Sequence, residues 1–192
     1  MEKKIVLASS SVFRQALLER LKIPFVCESP AIDESPQKNE SPENLAKRLS
    51  FEKAKALSLK YPNALIIGSD QVATVNDKIY GKPKTLDAAV LQLKELSNKT
   101  VDFLSGLALL NSKTKKAQIE CIQTRVVFRQ LTQKEIEHYL KCEPDAIFCA
   151  GAAKSEALGI ALLEKIQSDD PTALIGLPLI ALCQMLRKEK VL

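Results

Sequence analysis

Three bases and two acids stand where the surrounding sequence reads as buried or conformationally restricted: Arg14, Lys53, Lys82, Glu34 and Asp70. An ion taken out of water is costly unless an opposite charge or a ligand compensates it. Lys53 follows Leu49 by four residues and falls inside the apolar stripe Leu45, Leu49, Ala56, widened by Ala46 and Leu57, whereas Lys47, Lys55 and Lys60 fall elsewhere. Arg14 precedes Leu17 and Leu18, so it lies on the inner side of its helix, in the first turn beside Ser9, Ser10 and Ser11. Asp70 ends the apolar run Ala64–Ser69, and Lys82 is set between Gly81 and Pro83, which restrict its direction. Glu34 lies in a proline-limited acidic loop beside Asp33. Each has a plainer explanation: a lysine stem with its amine at the rim, a capped helix with a surface ion pair, a strand reaching solvent, an exposed turn, a solvated loop. Together they form the inventory of a metal-dependent phosphoryl-transfer site, with free helix N–H groups, serine hydroxyls and a guanidinium as a phosphate cradle and oxygen ligands for a divalent cation.

Elements to position these groups follow from hydrophobic period and turn chemistry. Lys4–Ala8 reads as a buried strand, followed by a serine-capped helix to about Leu21 and a short strand Pro24–Glu28. Ser29–Glu40 is a loop, and Ser41 caps a helix that carries Pro42 in its first turn and runs to about Lys60. Leu65–Val75 is a β-branched strand, Asn76–Asp77 a turn and Lys78–Tyr80 a returning strand; Thr85 caps a helix to about Leu96. Val101–Leu110 and Ile119–Leu131 are long strands joined near Asn111–Lys116, and Thr132 with Glu135 makes a capping box for a helix to about Lys141. Pro144–Glu156 reads as a loop, Leu158–Ile166 as a strand and Leu177–Lys188 as the last helix. Strands and helices interleave, but two strand pairs are adjacent in sequence. The fold class expected is α/β, a mixed twisted sheet flanked by helices.

The 192 residues fit one domain, or two small lobes sharing a core, and 46% hydrophobic residues suffice to bury that core. A net charge of +5 is mild. It fits a lysine-rich surface or a cleft that meets a polyanion, and a nucleic-acid surface needs a denser cluster than Lys113–Lys116, which reads as a hairpin tip. The five cysteines are scattered without a C-x-x-C and His138 is the only histidine, which argues against a disulfide framework, a zinc site and a histidine metal cage. The thiols are expected to be reduced and mostly buried, implying a cytoplasmic setting. Met1–Ala8 is too short for a signal-peptide core, and no stretch is apolar enough to span a membrane.

Several spaced motifs then converge. Leu7–Arg14, Asp33-Glu34, Glu52-Lys53-Ala54, Ile67–Asp70, Gly81-Lys82-Pro83, Ala150-Gly151 and Gly176–Pro178 resemble, in order and over essentially the whole chain, the Maf family of nucleotide pyrophosphatases. The resemblance implies a single domain over residues 1–192 with two lobes around a cleft, and a catalytic Asp70 with Glu34 and Asp70 as ligands for Mg²⁺ or Mn²⁺. Ser9, Arg14, Lys53 and Lys82 are then the phosphate-binding residues. Ser69-Asp70-Gln71, Lys154-Ser155-Glu156 and the stretch from Asp170-Pro171 through Leu186 look like the branch acting on 7-methyl-GTP, for which Phe13, Gln71 and Glu156 become the base-specificity residues. The positive 7-methylguanine ring suits an aromatic face and a carboxylate. Phe13 stands where that branch usually carries Trp, and Ala157 where it carries Gly. The implied partner is a small nucleotide, not nucleic acid or membrane. Family members often pair as homodimers, though no exposed apolar stripe marks an interface here. The alternatives left open are a pyrophosphatase for dTTP, UTP or other noncanonical nucleotides, and a non-catalytic nucleotide- or nucleic-acid-binding regulator of division.

Overall fold

The computed structural model describes residues 3–192; of the segment Met1–Ala8 discussed above, Met1 and Glu2 lie outside the described residues. In chain order the main elements are β1 (Lys4–Ala8), α1 (Val12–Glu19), β2 (Phe25–Glu28), α2 (Pro42–Ala56), β3 (Ala64–Val75), β4 (Lys78–Tyr80), α3 (Leu86–Leu96), β5 (Thr100–Asn111), β6 (Lys116–Phe128), α4 (Gln133–Cys142), β7 (Leu163–Ser168) and α5 (Leu179–Lys188). The strands form one mixed sheet of order β2-β1-β3-β5-β6-β7, with β4 paired to β3. β1 runs parallel to both β2 and β3, while β4 on β3 and β7 on β6 are antiparallel. This is the α/β mixed sheet expected.

The chain divides into two compact units, one comprising Met1–Gln71, Ser105–Ile122 and Asp170–Leu192, the other Val72–Leu104 and Gln123–Asp169. In the first unit, side chains alternate across the sheet with the two-residue period of a strand. Ile5, Leu7, Leu65, Ile67, Leu107 and Leu109 pack against Leu17, Leu18, Leu182 and Met185 of α1 and α5. The intervening Val6, Ala8, Ala64, Ile66 and Leu110 face Ala54 and Leu57 on the α2 side. Two glycines carry this alternation on. A Cβ at Gly68 would lie 2.0 Å from Ser50 O, and one at Gly106 2.1 Å from Ala46 O. The backbone of α2 therefore rests directly on β3 and β5, which only glycine permits.

In the second unit α3 packs on α4. Buried Leu93, Leu96, Phe103, Ile136 and Tyr139 fill its interior. The capping box is present, Thr132 accepting from the Glu135 N–H while the Glu135 carboxylate accepts from the Thr132 N–H.

The caps at Ser41, Thr85 and Thr132, and the β3–β4 turn with positive φ at Asn76 and Asp77, lie where the residue types place them. Several boundaries differ. β6 runs from Lys116 to Phe128, three residues earlier at each end than expected. α2 stops at Ala56, short of Lys60, and Ala56 itself is exposed while Ala54 is buried. Pro144–Phe148 and Ala150–Ala152 coil into 3₁₀ turns within the expected loop. Leu158–Leu162 is also 3₁₀, so the strand begins only at Leu163. There the backbone of Gly159 folds against that of Lys154, with a Cβ position only 2.5 Å from the Lys154 carbonyl oxygen, which a straight strand cannot do. The cysteines also depart from expectation. All are free, but Cys27 and Cys142 are exposed and Cys121, Cys149 and Cys183 half-buried, so none is a core residue. Lys113–Lys115 do form the tip between β5 and β6.

Candidate active site

Asp70 is not at the end of its strand. β3 continues five residues further, to Val75, and Asp70 is 8% exposed in its middle. The acid is tolerated there because Lys53 compensates it. Gly68 and Asp70 share one face of β3, and α2, seated on Gly68, directs Lys53 toward Asp70. The Lys53 ammonium donates to Asp70 Oδ1 at 2.5 Å and pairs with Glu34 Oε1 at 2.7 Å. One buried amine thus bridges two carboxylates that lie 36 residues apart in sequence. A pair desolvated this far is worth little net stability, yet losing one partner strands the other charge.

The loop that presents Glu34 is pinned by a residue the sequence motifs did not single out. Arg48, on α2, forks onto Glu40 through Nε and Nη2 at 2.7 and 2.8 Å, donates to Ser35 O at 3.0 Å and reaches Glu52 at 3.0 Å. Asp33 accepts from the Ser35 N–H at 2.9 Å, an Asx turn beside Glu34. The spacing Glu40–Arg48–Glu52 held the signal, since Arg48 and Glu52 are i, i+4 neighbours.

Arg14 enters the same field from α1. Burial draws its guanidinium below the ordinary arginine value, against the opposing pull of Asp70 and Glu34. It stays charged nonetheless, as an arginine does. Its Nε donates to Gly176 O at 2.9 Å, and its terminal nitrogens donate no hydrogen bond among the described residues. Ser11 caps α1 by accepting from the Arg14 N–H, and buried Ser9 accepts from the Ser11 N–H at 3.1 Å. Phe13 is half-buried in that first turn.

The other face of β3 has a different use. The single Ser69 hydroxyl proton is shared between the carbonyl oxygens of Gly106 and Gly176, 2.9 and 2.8 Å from Oγ. Gln71 Nε2 donates to Ala173 O and Leu174 O, both at 2.9 Å. The amide hydrogens are thus occupied by the loop before α5, which leaves Oε1 as the side-chain polar atom of Gln71 without a partner among the described residues. Asp170 anchors that loop by accepting from Thr172 and from the Ile180 N–H at 2.7 Å.

In the second unit Lys82 is exposed after β4, lining an open hollow of about 310 Å³ with Tyr80, Pro83, Leu91 and Gln92. Gln92 donates to Gly81 O at 3.0 Å and so fixes the turn that carries it. Glu156 is exposed on a loop held by Tyr139, whose hydroxyl donates to Ala152 O and accepts from the Lys154 N–H, and by the Lys154–Glu143 ion pair at 2.9 Å. Neither Lys82 nor Glu156 makes an ion pair among the described residues.

Of the residues singled out in the sequence, Arg14, Glu34, Lys53 and Asp70 therefore converge in the first unit, with Ser9 and Gln71 on the same unit, while Lys82 and Glu156 belong to the second. No group of three metal-binding side chains occurs among the described residues. The pair Asp70 and Glu34 nevertheless fits a hard divalent cation, which commonly takes one or two carboxylates and completes its shell with phosphate oxygens and water.

A mixed sheet with this charge cluster, carrying the spaced motifs noted above, defines a family: a model of the Maf-like proteins matches residues 4–189, and the chain belongs to that family. Its relatives make the comparison narrower. A protein of Aromatoleum aromaticum named 7-methyl-GTP pyrophosphatase is 50% identical over 98% of this chain and 97% of its own length. Proteins of the same name from Pseudomonas syringae pv. tomato and Chromobacterium violaceum are 51% and 52% identical, each over 97% of both chains. No helix of the described residues is long and apolar enough to cross a membrane.

Proposed function

We propose that this chain is a cytoplasmic nucleoside triphosphate pyrophosphatase that hydrolyses 7-methyl-GTP to 7-methyl-GMP and pyrophosphate, acting on the free nucleotide and not on nucleic acid. The observation that carries the reading is the Lys53 ammonium held between Asp70 and Glu34 with Arg14 in their field. The names of relatives at about half identity over nearly the full length support the base.

Arg14 and Lys53 bind triphosphate oxygens, aided by Ser9 at the turn into α1 and by Lys82. Asp70 accepts the proton of a water whose oxygen attacks the α-phosphorus; the α–β anhydride bond breaks and pyrophosphate departs with the bonding electrons. Glu34 and Asp70 would hold Mg²⁺ or Mn²⁺, which when bound offsets charge on the phosphoryl oxygens. Glu34, on a loop and 56% exposed, is the group placed to adjust when phosphate enters, while Arg48 limits how far it moves. Phe13, Gln71 and Glu156 read the base.

The test is pyrophosphate release from a panel of 7-methyl-GTP, GTP, dTTP, UTP and CTP, with and without Mg²⁺. The expected result is metal-dependent turnover with 7-methyl-GTP preferred. Asp70→Asn is expected to lower kcat by about 10²–10⁴. A preference for dTTP or UTP refutes the base assignment, and an Asp70→Asn variant of near-full activity refutes the proton acceptor.

A further inference from the structure

Gln71 is surrounded on one side by acceptors, and the donors can be assigned by counting protons. Ser105, fully buried on β5, has one hydroxyl proton. Its Oγ lies 2.7 Å from Ala173 O, a carbonyl that can only accept, so the proton goes there. Toward Gln71, 3.1 Å away, Ser105 then has only lone pairs to offer. Gln71 must present N–H to it, so its two amide protons are shared among three acceptors, Ser105 Oγ, Ala173 O and Leu174 O, and the Ser105 hydroxyl in turn holds Ala173 O in place. The flipped amide would set Oε1 against three acceptors at once. In the observed orientation Oε1 accepts nothing among the described residues and is not among the sealed, unsatisfied atoms, so it keeps some exposure to solvent.

We propose that Ser105 is a positioning residue which, with the Ala173 carbonyl it holds and the Leu174 carbonyl, locks the Gln71 amide so that substrate meets only its carbonyl oxygen, selecting a nucleobase edge that carries N–H donors. This rests on the reading that Gln71 borders the base. The guanine edge, with its N1–H and exocyclic amine, satisfies an acceptor. Cytosine and adenine set a ring-nitrogen lone pair beside their amine, and that lone pair is repelled by Oε1. Ser105 thus acts on selectivity through Gln71, without touching substrate.

Two measurements test it. In ¹⁵N-labelled protein the Gln71 side-chain amide, assigned by its loss in Gln71→Leu, is expected to exchange with solvent at least about tenfold more slowly than that of exposed Gln130. Ser105→Ala, which removes one acceptor and frees the Ala173 carbonyl, should lower this protection, and Ser105→Thr, which keeps the hydroxyl, should retain it. In parallel, the ratio of kcat/KM for 7-methyl-GTP over CTP is expected to fall about tenfold in Ser105→Ala, the worth of one neutral hydrogen bond, and to recover in Ser105→Thr. A merely structural serine would lower stability without moving the ratio. An unprotected Gln71 amide in the unmodified protein overturns the proposal even if Ser105→Ala does not fold. So does a ratio within twofold of the parent once protection is lowered. Should the parent hydrolyse no nucleotide, the proposed function fails, while amide protection that Ser105→Ala lowers still upholds the lock.

Discussion

The charged residues of the first unit and those of the second are held in opposite ways. Lys53, Asp70 and Glu34 are already joined to one another, with Lys53 and Asp70 largely withdrawn from water. Lys82 and Glu156 are exposed and make no ion pair among the described residues. A solvated charge costs nothing to keep and contributes nothing until a ligand arrives. A buried cluster must be neutral within itself to survive folding. The difference teaches that the first group must be satisfied as a set when the chain folds, whereas Lys82 and Glu156 place no such demand on folding.

The sharpest way to break that contrast is Lys53→Met. It leaves Asp70 buried without its cation and is expected to cost about 3–5 kcal/mol, read as a lowered denaturation midpoint, together with loss of turnover. Adding Asp70→Asn should return much of the stability and none of the activity; a double variant as unstable as the single one would show that the pair is not what the burial requires. Lys82→Ala should do the reverse. Its stability is expected within about 0.5 kcal/mol of the parent, while kcat/KM falls roughly ten- to a hundredfold for the loss of one charged phosphate contact. A matching drop in the unfolding midpoint would erase the distinction. Gly68→Ala forces α2 off β3 and is expected to cost about 1–3 kcal/mol while lowering kcat, because Lys53 moves with the helix.

The smallest effect concerns a purely structural carboxylate of the second unit. The backbone bond from Thr132, that residue's hydroxyl and the Arg129 guanidinium hold Glu135 down at about 2. A carboxylate depressed in the folded state stabilises fully above its unfolded value, near 4.3, and loses that contribution as pH falls toward about 2. Glu135→Gln should therefore lower the thermal midpoint at pH 7, with the gap to the parent narrowing between about pH 5 and pH 2.

The elements that carry the site were legible because their signals are local. Ser41, Thr85 and Thr132 mark helix starts through a hydroxyl that caps a free N–H, and Asn76–Asp77 supplies the positive φ of a tight hairpin. Lys53 stood out because its helical phase put an ion among leucines. Asp70 read only as the acid that closes an apolar run, because its partner lies 17 residues away on α2 and nothing local reveals it. For Gln71 the motif gave a residue bordering the base but no direction of hydrogen bonding, because nothing nearby in sequence reveals the Ala173 and Leu174 carbonyls. Arg48 and Ser105 were passed over for related reasons. A surface-looking arginine and a serine in an apolar run acquire meaning only from what they face. Strand parity would have separated Ser69 and Gln71 from Asp70, since alternate residues of β3 point to opposite faces.

The direct seating of α2 on Gly68 and Gly106 has one more implication. Main chain against main chain leaves no cushion: a side chain between helix and sheet can change rotamer, but a peptide carbonyl pressed on a glycine cannot yield. The amine that α2 carries is consequently a rigid landmark, and any accommodation to a differently shaped polyphosphate falls to the segment bearing Glu34. Diversification of this enzyme should be sought in residues 29–40, with the helix and its two glycines inherited as one indivisible piece.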